Sequence, residues 1–228
     1  MSITSFVTIG QSPRDDILQS MLPPALHSRV IQRGALDHLS SEAIHNLAPR
    51  QGETPFVTRL VDGAEILVSK TALMPHLQTA VDSAAAAGAR SVVILCTGAF
   101  PDLRASVPMI LPDRVLTANV DALLPRGTIG VVMPHEDQTD LMRSKWETPD
   151  RQFVGVAASP YSGASDLRRH GANLADRGAD LIVLDCMGFT QEMKSTIAAH
   201  IETPVILANR LIGRVIEELT DVPGAGSS

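Results

Sequence analysis

The chain contains two cysteines, Cys96 and Cys186, in similar sequence surroundings. Each follows a short run of Val, Ile and Leu residues typical of a buried parallel strand, and each has a glycine two residues later, Gly98 or Gly188. A lone cysteine is most often a small buried hydrophobic residue. Two cysteines at matched places favour a chemical role instead.

Two thiols that face one substrate could invert a carbon centre. One thiolate would abstract the proton from a carbon next to a carboxylate, and the opposite thiol would return a proton to the other face. An unperturbed thiol has a pKa of about 8.5, so modest tuning brings it near neutral pH. Backbone N–H groups and helix N-termini would stabilise the thiolate and the enolate. This chemistry needs no metal and no organic cofactor.

The two cysteines belong to an internal repeat with an offset of 90 residues. Residues 88–119 align without gaps to residues 178–209, and eight of the 32 pairs are identical. Each copy reads as Gly-Ala, an apolar strand, Cys-x-Gly, a polar helix and a second strand that ends in Ala-Asn. The repeat predicts both thiols at the carboxyl ends of parallel strands, where open α/β sheets bind ligands. If the halves pack about a pseudo-twofold axis, the thiols face each other across one cleft.

The elements that must position these thiols follow an α/β pattern, because Val- and Ile-rich runs alternate with helical stretches. The predicted strands are Ser5–Ile9, Arg29–Gln32, Ser91–Leu95, Arg114–Thr117, Ile129–Met133, Phe153–Val156, Leu181–Asp185 and Pro204–Leu207. Two alternating runs between Thr54 and Ser69 flank Asp62-Gly63, which predicts an antiparallel hairpin. A helix is expected shortly after each cysteine, and a terminal helix is expected from about Asn209.

Composition excludes several classes of protein. The 228 residues, 44% of them hydrophobic, can form one large domain or two small ones without a metal or disulfide. Aromatic residues make up 3%, and 25 acidic against 19 basic residues give a net charge of −6, so we expect no nucleic-acid partner. The apolar runs are too short for a membrane span. The N-terminus does not read as a signal peptide, so we expect a cytoplasmic protein whose cysteines are thiols. The sequence leaves open whether the chain forms a homo-oligomer.

Further candidate substrate-binding residues lie near the predicted strand ends. They are Gln11, Ser12, Arg14, Thr97, Gly98, Asn119, His135, Gly188 and Phe189. Ser12 is predicted to cap the first helix, whose N-terminus would attract an anion, and Arg14 could clamp a carboxylate; the alternative is an ordinary capped helix with a surface arginine. For Asn119 the alternative is helix capping, and for His135 it is a surface or capping role. No Walker, dinucleotide or zinc-ligand pattern is present, so no metal site is expected.

Several segments resemble known proteins. The strand ends at 94–98 (ILCTG) and 184–189 (LDCMGF) resemble the aspartate/glutamate racemase superfamily, which includes hydantoin racemases, maleate isomerases and arylmalonate decarboxylases. Within it, the AroM family is resembled by the segments 8–14 (TIGQSPR), 34–37 (GALD), 57–60 (VTRL) and 95–98 (LCTG).

The resemblance implies an α/β fold of two pseudo-symmetric parallel-sheet domains with the active site in the cleft between them. The first domain would span residues 1–113 and be completed by 205–221, and the second would span 114–204. Independently of the resemblance, the small and polar residues at 222–228 (VPGAGSS) predict a disordered tail. It also implies cofactor-independent chemistry at a carbon adjacent to a carboxylate or a hydantoin-like carbonyl, with Cys96 and Cys186 as acid and base.

Two departures argue against a glutamate racemase. Amino-acid racemases of the superfamily usually carry an aspartate near the end of the first strand, where residues 10–12 (GQS) stand here. Glutamate racemases often carry a histidine just after the second cysteine, where Met187 stands here. Asp185 precedes Cys186, and its charge would raise the thiol pKa if the two side chains were close. Adjacent residues of a strand point to opposite faces, which reduces that contact.

The leading hypothesis is a racemase, epimerase or isomerase that acts on a small carboxylate or a hydantoin-like substrate. One alternative is a decarboxylase or cis-trans isomerase that uses a single cysteine. Another is a non-catalytic small-molecule binding or sensor protein that retains the fold.

Overall fold

A computed structural model describes residues 3–161 and 166–220 of the chain. The strands are β1 (Thr4–Thr8), β2 (Val30–Gly34), β3 (Pro55–Arg59), β4 (Glu65–Ser69), β5 (Ser91–Ile94), β6 (Met109–Ile110), β7 (Gly127–Met133), β8 (Arg151–Ala157), β9 (Leu181–Leu184) and β10 (Val205–Leu207). The helices are α1 (Asp15–Met21), α2 (Pro24–His27), α3 (Ser41–His45), α4 (Lys70–Ala86), α5 (Pro112–Leu123), α6 (Thr139–Trp146), α7 (Leu167–Asp176), α8 (Gln191–Ala198) and α9 (Ala208–Leu219), with a 3-10 turn at Glu136–Gln138.

The chain forms two compact units. The first contains described residues up to 112 together with 212–220, and the second contains the described residues of 113–211. Each unit is built on a four-stranded parallel sheet, in the order β2-β1-β5-β6 in the first and β8-β7-β9-β10 in the second. The predicted α/β fold with two parallel sheets is confirmed. The predicted tail, 222–228, lies outside the described residues.

In each sheet the order in which the chain adds strands reverses between the two central strands, although all the strands are parallel. In the first unit the chain moves from β1 to β2 on one side and returns to β5 on the other, and β7, β8 and β9 repeat this order. Ligands of open α/β sheets bind outside the carboxyl ends of the strands at such a switch point. In the first sheet that point lies beyond the pair Val7 and Ile94, and in the second beyond Val132 and Leu184.

The predicted hairpin is confirmed as β3 and β4, which pair antiparallel from Pro55 opposite Ser69 to Arg59 opposite Glu65. Its turn contains Gly63 at a φ of 91°, a backbone conformation that glycine adopts without strain. Within the described segments, no helix has both the length and the apolar character needed to cross a membrane.

The strand predicted at 114–117 is wrong, because these residues lie in α5. Pro112 opens the helix, where its missing N–H costs nothing, and Leu116 and Val120 are both wholly buried at the i, i+4 spacing of one helix face. The strand that pairs with β5 is Met109–Ile110 instead. Two residues are too few for an alternating pattern to be visible in the sequence.

The ungapped repeat is correct up to the cysteines and wrong beyond them. The sheet pairs Val92 with Met109 and Ile182 with Val205, so the offset between the copies is 96 at the last strand. The six additional residues of the second copy accompany helix α8, whereas turns without a helix follow Cys96. The prediction of a helix shortly after each cysteine is therefore correct only for Cys186.

Two consequences follow for the predicted positions. Asn119 does not end a strand but lies inside α5, and the residue that corresponds to Asn209 is Asp113. Residues 205–211 were expected in the first unit, but β10 pairs with β9 and belongs to the second, so the chain returns to the first unit within α9.

Candidate active site

The two cysteines lie at equivalent strand ends. Cys96 is the second residue after β5 and Cys186 the second after β9; both are partly buried, and they are not joined in a disulfide. The backbone N–H of Gly98 donates to Cys96 Sγ at 3.4 Å, and that of Gly188 donates to Cys186 Sγ at 3.5 Å. An N–H group that points at sulfur favours the thiolate over the thiol.

Glycine is required two residues after each cysteine because an aromatic ring packs there. A Cβ atom at residue 98 would lie 2.6 Å from Cζ of Phe56, and one at residue 188 would lie 2.8 Å from the hydroxyl of Tyr161. Phe56 is itself held by Phe100, with ring centroids 5.3 Å apart. The ring at each turn fixes the loop that carries the sulfur.

The hairpin covers the carboxyl end of the first sheet at its switch point. Phe56 and Thr58, two residues apart on the same face of β3, contact Gly98 and Gly10 respectively. The side-chain oxygen of Gln11 accepts a hydrogen bond from Val61 N–H at 3.0 Å. The hairpin therefore joins the loop after β1 to the loop that carries Cys96, and Gln11 serves that junction.

The loop after β1 is held by Asp37, which the sequence analysis did not single out. The carboxylate accepts hydrogen bonds from Ser12 N–H, the Ser12 hydroxyl and Gly34 N–H, each at 2.7 Å. Ser12 does not cap α1 as predicted, because that helix begins only at Asp15 and the Ser12 side chain binds Asp37. The segment 34–37 (GALD) is one of those that resemble the AroM family, but the sequence does not indicate that Asp37 binds Ser12, which lies 25 residues away.

Arg14 is buried, and its guanidinium forms a two-pronged contact with Asp16, at 2.9 and 2.7 Å. Burial raises the pKa of Asp16, but the hydrogen bond and charge of Arg14 outweigh it, so the net shift is downward. Arg59 adds a weaker attraction at 3.8 Å. The carboxylate that Arg14 clamps in this structure is thus that of Asp16.

Asp185, the residue before Cys186, is wholly buried in a charged cluster. The Lys145 ammonium lies 3.0 Å from Asp185 Oδ2 and 3.1 Å from Asp113 Oδ1, and the indole N–H of Trp146 donates to Asp185 Oδ2 at 2.8 Å. Buried carboxylates need such partners. The sequence indicated Asp185, but Lys145 and Trp146 are about 40 residues away and gave no signal.

The turn after Cys186 is shaped by Asn209, which is buried. Its side-chain N–H group donates to the carbonyls of Met187 and Phe189, at 3.2 and 2.6 Å. The Phe189 side chain is wholly buried in the core of the second unit. The Phe189 side chain therefore contributes to the core of the second unit and its carbonyl to the geometry of the turn, and its role in substrate binding stays a prediction.

Two of the remaining predicted residues make local hydrogen bonds. The Asn119 amide donates to Val115 O within α5, and His135 Nδ1 accepts from Asp137 N–H at 3.2 Å and caps the 3-10 turn. Thr97 is buried directly beside Cys96. Across the two described stretches, no three His, Cys, Asp or Glu side chains form a group that could hold a metal ion.

Comparisons with known proteins agree with this architecture. An aspartate racemase homologue from Pyrococcus horikoshii OT3 has a TM-score of 0.61 at 10% identity, with 96% of this chain and 99% of that chain covered. The maleate isomerase Iso from Pseudomonas putida S16 has a TM-score of 0.60 at 14% identity, with 98% of this chain and 94% of that chain covered. A glutamate racemase from Francisella tularensis subsp. tularensis SCHU S4 in complex with D-glutamate has a TM-score of 0.59 at 12% identity, with 96% of this chain and 80% of that chain covered.

At these identities the likeness to solved structures concerns the fold alone. The comparison with curated proteins gives no significant match. The family model described as AroM protein, in contrast, matches residues 4–220, nearly the whole chain. The chain therefore belongs to the AroM family, and its fold is that of the aspartate/glutamate racemase superfamily.

Proposed function

We propose that the protein is a cofactor-independent racemase, epimerase or isomerase that uses Cys96 and Cys186 on one small substrate. The observation that carries this proposal is the match between the two thiols. Both follow the third strand of a four-stranded parallel sheet at its switch point, and both receive an N–H hydrogen bond from the glycine two residues on. A buried structural cysteine needs neither the position nor the hydrogen bond.

The reaction moves one proton off a carbon and one proton onto it. A thiolate takes the proton from the carbon next to the carboxylate or hydantoin-like carbonyl, and the electron pair of that C–H bond moves into an enolate. The other thiol then gives its proton to the opposite face of the carbon. The product leaves with the centre inverted and the protonation of the two sulfurs exchanged, so the next turnover in the same direction requires proton exchange with water.

Substrate binding would use the loops that flank the sulfurs. Backbone N–H groups of the turns after Cys96 and Cys186 stabilise developing negative charge without any reorganisation. Thr97 lies in the first of these turns, and the Ser12 loop, set by Asp37, borders the switch point of the same sheet. The protein would work in the cytoplasm, where both thiols stay reduced.

Hydrogen exchange in deuterium oxide tests the proposal. The protein is incubated with aspartate, glutamate, maleate, an arylmalonate and a hydantoin, and carbon-bound deuterium is followed by NMR while chirality is followed by chromatography. We expect incorporation with inversion for one class of compound. Cys96→Ser and Cys186→Ser should each abolish inversion, whereas Ser83→Ala, on the exposed side of α4, should not.

The folded state of each variant is checked by its circular dichroism and by the fluorescence of Trp146, the only tryptophan. Inversion that survives both cysteine substitutions would exclude the two-thiol mechanism. Tight binding without exchange, indifferent to either substitution, would contradict the proposal and indicate a binding protein.

A second candidate is a decarboxylase or cis-trans isomerase with one essential cysteine. It is favoured by one asymmetry, because Asp185 precedes Cys186 whereas apolar Leu95 precedes Cys96. In that case one substitution would abolish turnover of an arylmalonate or of maleate and the other would leave it within a few-fold. The two-thiol mechanism predicts that inversion is lost with either.

A further inference from the structure

A cavity of about 210 Å³ lies in the first unit between the end of β2 and helix α4. Its lining comes from three segments, which are the last two residues of β2, the loop that follows this strand, and the side of α4 between His76 and Ser83. The loops at 10–12 and 96–98 contribute no residue to this lining. The cavity is therefore distinct from the turn that carries Cys96.

Most of the surface that lines this cavity is apolar. Ala35 and Ala80 are both buried, and Leu39 lines the cavity beside them. An apolar cavity of about 150 Å³ is large enough to bind benzene. The cavity between β2 and α4 therefore has room for a ring or a branched chain of that size with one small polar group attached to it.

Three side chains of the lining carry nitrogen donors that no carboxylate occupies. Arg33 Nη1 donates to the Gln32 carbonyl at 2.8 Å, and within the described residues the Arg33 guanidinium forms no ion pair. His38 is exposed and His76 is half-buried, and neither side chain makes a hydrogen bond or an ion pair in the part of the chain that the structure describes. Because a guanidinium binds a carboxylate through two parallel hydrogen bonds, Arg33 suits an anionic ligand.

Asp37 is the one carboxylate in this lining, and both of its oxygens accept hydrogen bonds from Ser12 or Gly34. Its negative charge offsets the positive charge of Arg33, so the net charge of the lining depends on the two histidines. An imidazole takes up a proton as the pH falls from 8 to 5. The lining therefore becomes positive, and attracts an anion more strongly, toward the acidic end of this range.

We propose that this cavity is a second ligand site, which binds a small monocarboxylate with a compact apolar body. Arg33 binds the carboxylate, His38 and His76 add positive charge, and Leu39 and Ala80 pack against the apolar body. The ligand is neither substrate nor product of the reaction proposed above, so the site does not depend on the chemistry of the two cysteines.

The segment that lines the cavity also holds the loop after β1. Gly34 N–H and Ser12 N–H both donate to Asp37, and Leu36 N–H donates to the Gly10 carbonyl at 3.0 Å. A ligand that binds only the closed form of this segment must leave before the segment opens, so it slows the opening. Ligand in the cavity therefore stabilises the Ser12 loop through Asp37.

Calorimetric titration of the full chain with cyclohexanecarboxylate, and with the neutral cyclohexanecarboxamide as the matched probe, tests the site. At pH 6 the acid should bind at least about tenfold more tightly than the amide, and its affinity should fall about three- to tenfold between pH 6 and pH 8. Arg33→Gln should weaken binding of the acid about ten- to hundredfold. Arg90→Gln, which removes an exposed arginine outside this lining, is the control and should leave it unchanged. Equal affinities for acid and amide would overturn the proposal.

Two variants and one modification place the probe in the cavity. Ala80→Leu fills part of the cavity with an apolar side chain and should abolish binding, and the double variant His38→Gln/His76→Gln should remove the pH dependence. Alkylation of both cysteines by iodoacetamide should leave the affinity unchanged. Binding that survives Ala80→Leu, or that alkylation abolishes, would refute the site. Should Ala80→Leu fail to fold by circular dichroism, Arg33→Gln decides the question, since the Arg33 side chain is half-exposed.

Amide hydrogen exchange tests the link to the loop after β1. With cyclohexanecarboxylate at ten times its Kd, the exchange of the Ser12 and Gly34 amides should slow about tenfold, because both donate to Asp37. Unchanged exchange at both amides with the probe bound would contradict the proposed action on this loop. None of these measurements needs turnover, so a failed deuterium-incorporation assay and a failed cavity are separate results.

Discussion

Replacing Asp37 by asparagine removes one negative charge and one of two acceptor oxygens while it keeps the size of the side chain. In the protein both oxygens are in use, because Oδ1 accepts from Ser12 N–H and Oδ2 accepts from the Ser12 hydroxyl and from Gly34 N–H. The asparagine amide can place its oxygen on only one side. Its NH2 group must then face a backbone N–H on the other side, so one hydrogen bond is lost in either orientation.

The magnitude follows from these contacts. A hydrogen bond to a charged group contributes about 1.5–3 kcal/mol, and the bonds that remain become weaker because their acceptor is neutral. We therefore expect Asp37→Asn to lower the free energy of unfolding of the first unit by about 2–4 kcal/mol. Asp62→Asn is the matched control, since Asp62 accepts one exposed bond from Ala64 N–H and its loss should change that energy by under about 1 kcal/mol.

Urea unfolding followed by circular dichroism measures the loss, and amide hydrogen exchange localises it. The exchange of Ser12 and Gly34 should accelerate, because their N–H groups lose the carboxylate that protects them. If the loop also binds substrate, the KM of the variant rises more than its kcat falls. A loss below about 1 kcal/mol with unchanged exchange at both amides would refute the view that Asp37 holds the loop after β1.

Two further changes test other contacts of the first unit. Gly98→Ala places a Cβ atom 2.6 Å from the Phe56 ring, so the ring must move by nearly an ångström. We expect the free energy of unfolding, measured by thermal unfolding, to fall by about 1–3 kcal/mol and alkylation of Cys96 by iodoacetamide to become slower. An unchanged Tm would contradict this packing. Asp16→Asn should destabilise by about 1 kcal/mol at neutral pH, because the carboxylate partners buried Arg14. Since the pKa of Asp16 is lowered in the folded state from 3.8, its contribution is complete above that value and lost as the pH falls below it; urea unfolding at several pH values should show the difference vanish in acid.

Local sequence patterns were enough to predict the two parallel sheets, the hairpin and the strand ends that carry Cys96 and Cys186. These features depend on short apolar runs, turn residues and the Cys-x-Gly spacing, each of which acts within a few residues. The pattern failed at β6, where two residues leave no alternation, and at 114–117, where Val and Leu suit a strand or a helix face equally well.

The partners of the site were decided by the tertiary structure. Asp37 meets Ser12 across 25 residues, and Lys145 and Trp146 meet Asp185 across about 40, because the order of strands in each sheet brings distant loops to one edge. The sequence by itself determined that two thiols end two equivalent strands. Which charges lie beside Asp185 depends on Asp113 of α5 and Lys145 of α6, which only the tertiary structure brings together with it, since Coulomb interactions follow distance in space and not position in the chain.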